Sequence, residues 1–285
     1  MVRPAFALLV VSLLVAACDA PDPAVDNAGR TPTPATAPTS ADSPVAGSPA
    51  VEVVPVGNPM FAIPAARYPA LVGVAASAEG FAPEGWAVEH RASGDLDGDG
   101  RPDLVLVLRQ HDPANIIRHE GLGVDPLDTN PRILAIALAT PGGPFRLAQQ
   151  NHALIPRATN PVFEDALQEA PKIRNGVISI RLDFFASAGS WTMFNSTARF
   201  RYRQGRIELI GHDYVEVRRN SGEMVERSVN FLTRRVSTVN TTVDAEHAVE
   251  PVWTALPAGP LLTLRQVGDG LAFDPTEANR SPHRP

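Results

Sequence analysis

Four aspartates crowd into nine residues of this chain: Asp95, Asp97, Asp99 and Asp103, within the segment GDLDGDGRPDLVLVL over 94–108. They occupy positions 1, 3, 5 and 9 of a D-x-D-x-D-G-x-x-D loop. Carboxylates this close repel one another unless a cation sits among them. Oxygen ligands at alternate positions of a tight turn suit Ca²⁺, a hard ion that takes six to eight oxygens at roughly 2.3–2.6 Å. Gly100 at position 6 permits the sharp bend, and Gly98 keeps the turn uncrowded. The backbone carbonyl of Arg101 at position 7 adds an inward-facing oxygen. The expected metal ligands are therefore Asp95, Asp97, Asp99, Arg101 through its carbonyl, and Asp103. With every carboxylate engaged as a ligand, the ion reads as a structural staple and not as a catalytic centre.

The loop departs from an EF-hand. Position 12 is Leu106, where an EF-hand places a bidentate glutamate, and the apolar run DLVLV leads into a strand where an EF-hand has a helix. Asp at position 9 followed directly by a strand resembles the calcium loops of FG-GAP and VCBS-type repeats, the repeats of integrin α-chain propellers. The resemblance covers 15 to 20 residues, or about 55 if RILAIAL and FRLAQQN complete a blade-like unit. It implies a bound calcium ion and a β-rich setting. Propellers repeat such loops blade by blade, whereas this chain carries one. The wider chain, with NPRILAIAL, GSW and FRYRQG, is similar to uncharacterised secreted bacterial proteins, and that likeness implies no activity.

Other chemical groupings are weaker. Asp125, Asp128 and Asn130 are candidates to extend the calcium site or form a second one. Asp183, Glu164 and Asp165 offer carboxylates for glycoside hydrolysis, without a spacing that singles them out. Arg199, Arg201 and Arg203 alternate along TARFRYR and present either a solvated strand face or a surface for an anionic polymer. Phe184, Phe185, Trp191 and Phe194 flank a Gly-Ser turn, as core packing or as a sugar platform. His119-Glu120 lacks the second histidine of H-E-x-x-H, because position 123 is Gly, so His111 and His119 read as loop residues. No G-x-S-x-G elbow is present. Lys172, the only lysine, has Glu169 three residues before it, which excludes S-x-x-K and Walker A sites.

The elements that must position these residues read as strands. Leu104–Leu108 and Ile133–Leu138 are short continuous apolar runs, the pattern of doubly buried strands. Val177–Phe184 alternates, with Ile178, Ile180, Leu182 and Phe184 on one face. Thr197–Arg203 sets its arginines against Ala198, Phe200 and Tyr202. Gln204-Gly205 and Asn220-Ser221-Gly222 supply hairpin turns, so 177–240 reads as an antiparallel meander. Helical candidates are short: Asp112-Pro113-Ala114-Asn115 and Asn160-Pro161-Val162-Phe163-Glu164 each pair an N-cap with proline at the first helical position. Ala65–Ala78 is ambiguous. The expected fold is all-β, a mainly antiparallel sheet or meander with few short helices, over residues 58–275. Residues 276–285 form a polar tail.

The N-terminus reads as an address. Arg3 precedes an apolar run from Ala5 to Val15, too short to span a bilayer and matched to a signal peptide over residues 1–17. Val15-Ala16-Ala17-Cys18 resembles the bacterial lipobox, which implies acylation of Cys18 and a lipid-anchored protein of the cell envelope, periplasmic or surface-exposed. Asp19 resembles the inner-membrane retention signal of enteric bacteria, a rule that varies between lineages. Residues 18–57 are rich in Pro, Ala, Thr and Ser, cannot bury enough surface to order, and read as a disordered tether.

Composition bounds the rest. The chain has 285 residues, 44% apolar and 20% charged, with one Cys and a net charge of −6. That excludes wholesale disorder, an internal disulfide framework and a thiolate zinc site, and it argues against nucleic acid as a partner. The sequence thus points to a non-enzymatic, calcium-stabilised binding or envelope-assembly module with a polymer or protein partner. A hydrolase built from dispersed residues is the alternative.

Overall fold

A computed structural model describes residues 62–278. The signal segment, Cys18, the tether, the first residues of the β-domain and the end of the tail lie outside the described residues. The strands are β1 (Val74–Ala75), β2 (Trp86–Gly94), β3 (Asp103–Gln110), β4 (Ile116–Ile117), β5 (Leu127–Asp128), β6 (Arg132–Ala139), β7 (Phe145–Asn151), β8 (Lys172–Arg174), β9 (Val177–Phe184), β10 (Thr192–Arg203), β11 (Arg206–Arg218), β12 (Glu223–Asn230), β13 (Arg235–Thr242) and β14 (Val252–Ala255). Two single-turn helices follow, α1 (Leu264–Val267) and α2 (Pro275–Ala278). All strand pairs are antiparallel, and the all-β expectation holds.

Two main sheets face each other. The first runs β1-β7-β6-β3-β2 and the second β14-β13-β12-β11-β10-β9-β8, with β4 and β5 as a separate ribbon. The core between them joins Val105, Val107, Leu134 and Ile136 to Ile178, Ile180, Leu182, Phe200 and Leu209. Because side chains alternate along a strand, Leu104, Leu106, Leu108, Ile133, Ala135 and Ala137 point the other way. Leu71, Ala75, Ala78 and Phe81 cover them. This N-terminal strap explains why β3 and β6 are continuously apolar: both faces of the first sheet are buried.

The second sheet is the expected meander. In β9, Ile178, Ile180 and Leu182 are buried while Arg181 is exposed. Gln204-Gly205 turns the chain with both residues at positive φ, and Asn175-Gly176 does the same between β8 and β9. The short helical candidates resolve differently. Pro113–Asn115 forms a single 3-10 turn, with Asp112 accepting from the Ala114 N–H. Asn160–Glu164 stays a turn, because Phe163 bridges Ala186 and the Glu164 N–H donates to the Phe185 carbonyl. A short helix crosses the expected tail boundary, since Asp274 accepts from the N–H groups of Thr276 and Glu277.

Candidate metal centre

The aspartate loop is the turn between β2 and β3, where the first sheet meets the second. A Cβ added at Gly94 would lie 2.6 Å from Ile173 Cγ2, so β2 and β8 are in close contact. The carbonyl oxygen of Asp95 lies 3.6 Å from the corresponding position at Gly176, in the β8–β9 turn. The loop therefore leans on a hairpin of the other sheet.

Within the loop, Asp95 accepts from the Gly98 and Gly100 N–H groups at 2.7 and 2.9 Å. These bonds are the main reason its carboxyl titrates below the usual range. Gly98 and Gly100 both take positive φ, the left-handed region that glycine enters freely. One oxygen each from Asp95, Asp97 and Asp99 lies within 4.8 Å of the others, a spacing suited to a shared cation. Asp99 accepts from the Arg101 N–H and pairs with its guanidinium.

Asp103 stands apart from this cluster. It is fully buried, accepting from the Leu96 N–H at 2.7 Å and the Ala139 N–H at 2.8 Å. Burial pushes its carboxyl up, against the two N–H bonds and with repulsion from Asp97 and Asp99. The structure thus brings together three of the four expected carboxylates and has Asp103 tie the loop to the end of β6. Asp103→Ala is expected to lose about 2 kcal/mol of stability by orphaning two buried N–H groups. Urea unfolding in EDTA checks this, since the loss should persist without metal.

The proposed extension of the site is overturned. Asp128 pairs with Arg109 at 3.0 Å, near the far end of β3, roughly 20 Å along the strand from Asp103. Asn130 accepts from the Asp112 N–H and donates to Asp128. Among the described residues, only Asp95, Asp97 and Asp99 form a possible metal cluster of this kind.

The other groupings disperse. Asp165 is bound to Arg132, Asp183 to Arg181, and Glu164 is exposed, so no paired acid and base emerges. Arg199 pairs with Asp213 on the neighbouring strand, which fits a solvated strand face. His119 braces its own loop through Val124 and Gly121. The four aromatics split into two groups: Phe184 stacks on Phe194 with centroids 4.9 Å apart, whereas Phe185 and Trp191 both lie beneath Arg219.

Sequence reasoning misses the densest charge cluster. Arg109 and Arg132 sit directly opposite on β3 and β6, a repulsive pairing in isolation. A bulge in β2 between Val88 and His90 leaves Glu89 outside the ladder register. Its carboxylate receives Arg132 Nε at 2.6 Å and Arg109 Nη1 at 3.0 Å. Asp165 takes the other edge of Arg132 at 2.6 and 2.7 Å. Burial opposes all three charges, but the ion pairs win: Arg132 is held above its ordinary pKa, and Glu89 and Asp165 below theirs.

Comparison with protein-family models, curated proteins and solved structures yields no match to the chain.

Proposed function

We propose that the protein is a calcium-stabilised, non-enzymatic β-module, displayed from the cell envelope on a lipid carried by Cys18, that binds a polymer or protein partner. The observation that carries the calcium part is the convergence of Asp95, Asp97 and Asp99 on one point of a glycine-shaped turn. The loop's position supports a structural role, because an ion there would brace a turn already pressed against the β8–β9 hairpin. The address part rests on the resemblance of Val15–Cys18 to a lipobox.

The test is thermal unfolding in 1 mM Ca²⁺ and in EDTA. Extracellular calcium modules have Kd values of about 10⁻⁴ to 10⁻³ M. At tenfold excess over Kd, linkage stabilises by about 1.4 kcal/mol. For a domain of this size that corresponds to about 3–6 °C in Tm. The Asp97→Ala/Asp99→Ala variant should lose the shift, and Mg²⁺ should give a smaller one. An unchanged Tm, with no calcium taken up at equilibrium dialysis, rejects the reading. Metabolic labelling with a radioactive fatty acid, retained by the wild type and lost in Cys18→Ser, tests the anchor separately.

A further inference from the structure

Residues of the N-terminal strap, the β7–β8 loop and the C-terminal segment enclose an open cleft of about 710 Å³, a volume typical of small-molecule sites. Its lining is predominantly apolar. One part is a row of rings: Phe163 edge-on to Phe184 at 5.1 Å, and Phe184 stacked on Phe194 at 4.9 Å. Another is Tyr68 stacked on His152 at 4.3 Å. Small residues such as Ala66, Ala158 and Ala166 keep the space open.

Three charged side chains line this cleft, and they differ in how they are held. Asp269 accepts from the Leu271 and Ala272 N–H groups of its own turn. Glu164 is exposed beside Phe163. Arg157 hydrogen-bonds only to neutral oxygens: the carbonyls of Pro64 and Thr129, Thr129 Oγ1 and Asn115 Oδ1. A guanidinium has five N–H groups, so one Nη1 hydrogen is left over. Among the described residues no carboxylate lies in ion-pair range of Arg157; the groups whose fields reach it are the Tyr68 phenol, on the same cleft, and Asp128, which is paired with Arg109. The result is a cation without a contacting anion on the wall of an apolar cleft.

We propose that the cleft binds a single-chain amphiphile with an anionic head, of which a fatty acid is the simplest case. The alkyl chain lies along Phe163, Phe184 and Phe194, and the carboxylate meets Arg157. The proposal is independent of the metal reading, since no aspartate of the loop lines the cleft.

Titration calorimetry with the full chain tests it, using octanoate, decanoate and dodecanoate below their micellar concentrations, with dodecanol as the uncharged control. Affinity should rise roughly fourfold per methylene until the chain fills the cleft, and dodecanoate should bind more tightly than dodecanol. Ala158→Trp, which fills the cleft from a loop, should weaken every ligand at least tenfold while leaving Tm within a few degrees. Arg157→Gln should abolish the preference for the acid and spare dodecanol. Should that variant fail to fold, the acid–alcohol comparison on the unaltered protein decides the head group. Affinity independent of chain length, or undiminished in Ala158→Trp, overturns the site. Equal binding of acid and alcohol overturns the anionic head.

Discussion

Arg132→Met is expected to lose about 3 kcal/mol or more of folding stability, the effect of breaking a buried ion pair by removing one partner. Arg132 is 5% exposed and forms bidentate contacts with both Glu89 and Asp165. Its loss leaves two partly buried carboxylates with Arg109 as their remaining cation, at 3.0 and 3.9 Å. The lower end of the usual range is appropriate because Asp165 keeps about a third of its side chain in water. Against a typical total of about 5–15 kcal/mol, the change should be plain as a lower urea midpoint at unchanged m-value. Adding Glu89→Gln and Asp165→Asn should recover most of the loss, since neutral amides are cheaper to bury than unpaired charges. A single variant within about 1 kcal/mol of wild type would show that the network contributes little.

Acid should destabilise the domain from above the ordinary carboxylate range, chiefly through His212. This residue is 2% exposed on β11, its ring edge-on to Phe273, with Nδ1 buried and unpartnered. Burial is the main cause that pushes its pKa down to about 4. Arg199 and Arg227 act in the same sense, and Asp213 and Asp274 oppose them. The unfolded chain binds the proton near pH 6.5 and the folded chain near 4. Stability is therefore complete above 6.5, falls by up to about 1.4 kcal/mol per pH unit through the interval, and is lower by about 3 kcal/mol at its foot. Glu89 and Asp165, whose pKa values are depressed, contribute a further loss only below the ordinary carboxylate range. Urea unfolding from pH 7.5 to 4.5 should show this slope, and His212→Leu should remove most of it, leaving the smaller effects of His152, whose pKa burial also lowers, and of Asp103, whose raised pKa acts in the opposite sense. A His212 ring that titrates near 6.5 by NMR in the folded protein would remove the basis of this expectation.

Local pattern carried the strands. The apolar runs of β3 and β6, the alternation in β9 and the Gly-containing turns each encode their element within a few residues, and so does the aspartate loop. Asn175-Gly176 is an equally local hairpin signal. What stayed hidden is long-range. Arg132 meets Glu89 and Asp165 across 43 and 33 residues, so no spacing rule links them. Glu89 reaches them from a β2 whose mixed sequence WAVEHRASG hides its pairing. Asp103 looks like a fourth ligand by position, and only the folded chain shows its two oxygens accepting from the Leu96 and Ala139 N–H groups. The cleft likewise draws on the N-terminal strap, the β7–β8 loop, β9, β10 and the C-terminal segment.

The two meanders also set an order of assembly. In each large sheet, every strand from β2 onward pairs chiefly with strands near it in sequence, so few long loops must close before contacts are gained, which favours fast pairing. The N-terminal strap is different, because β1 joins β7 across about 70 residues through two register pairs. The C-terminal segment meets Leu154 through Gly270 at a still greater separation. Both ends are expected to dock last, onto sheets already formed. A chain emerging from a ribosome or a translocon would therefore hold its strap waiting for β3 and β6, with the outer face of the first sheet bare until the two meet.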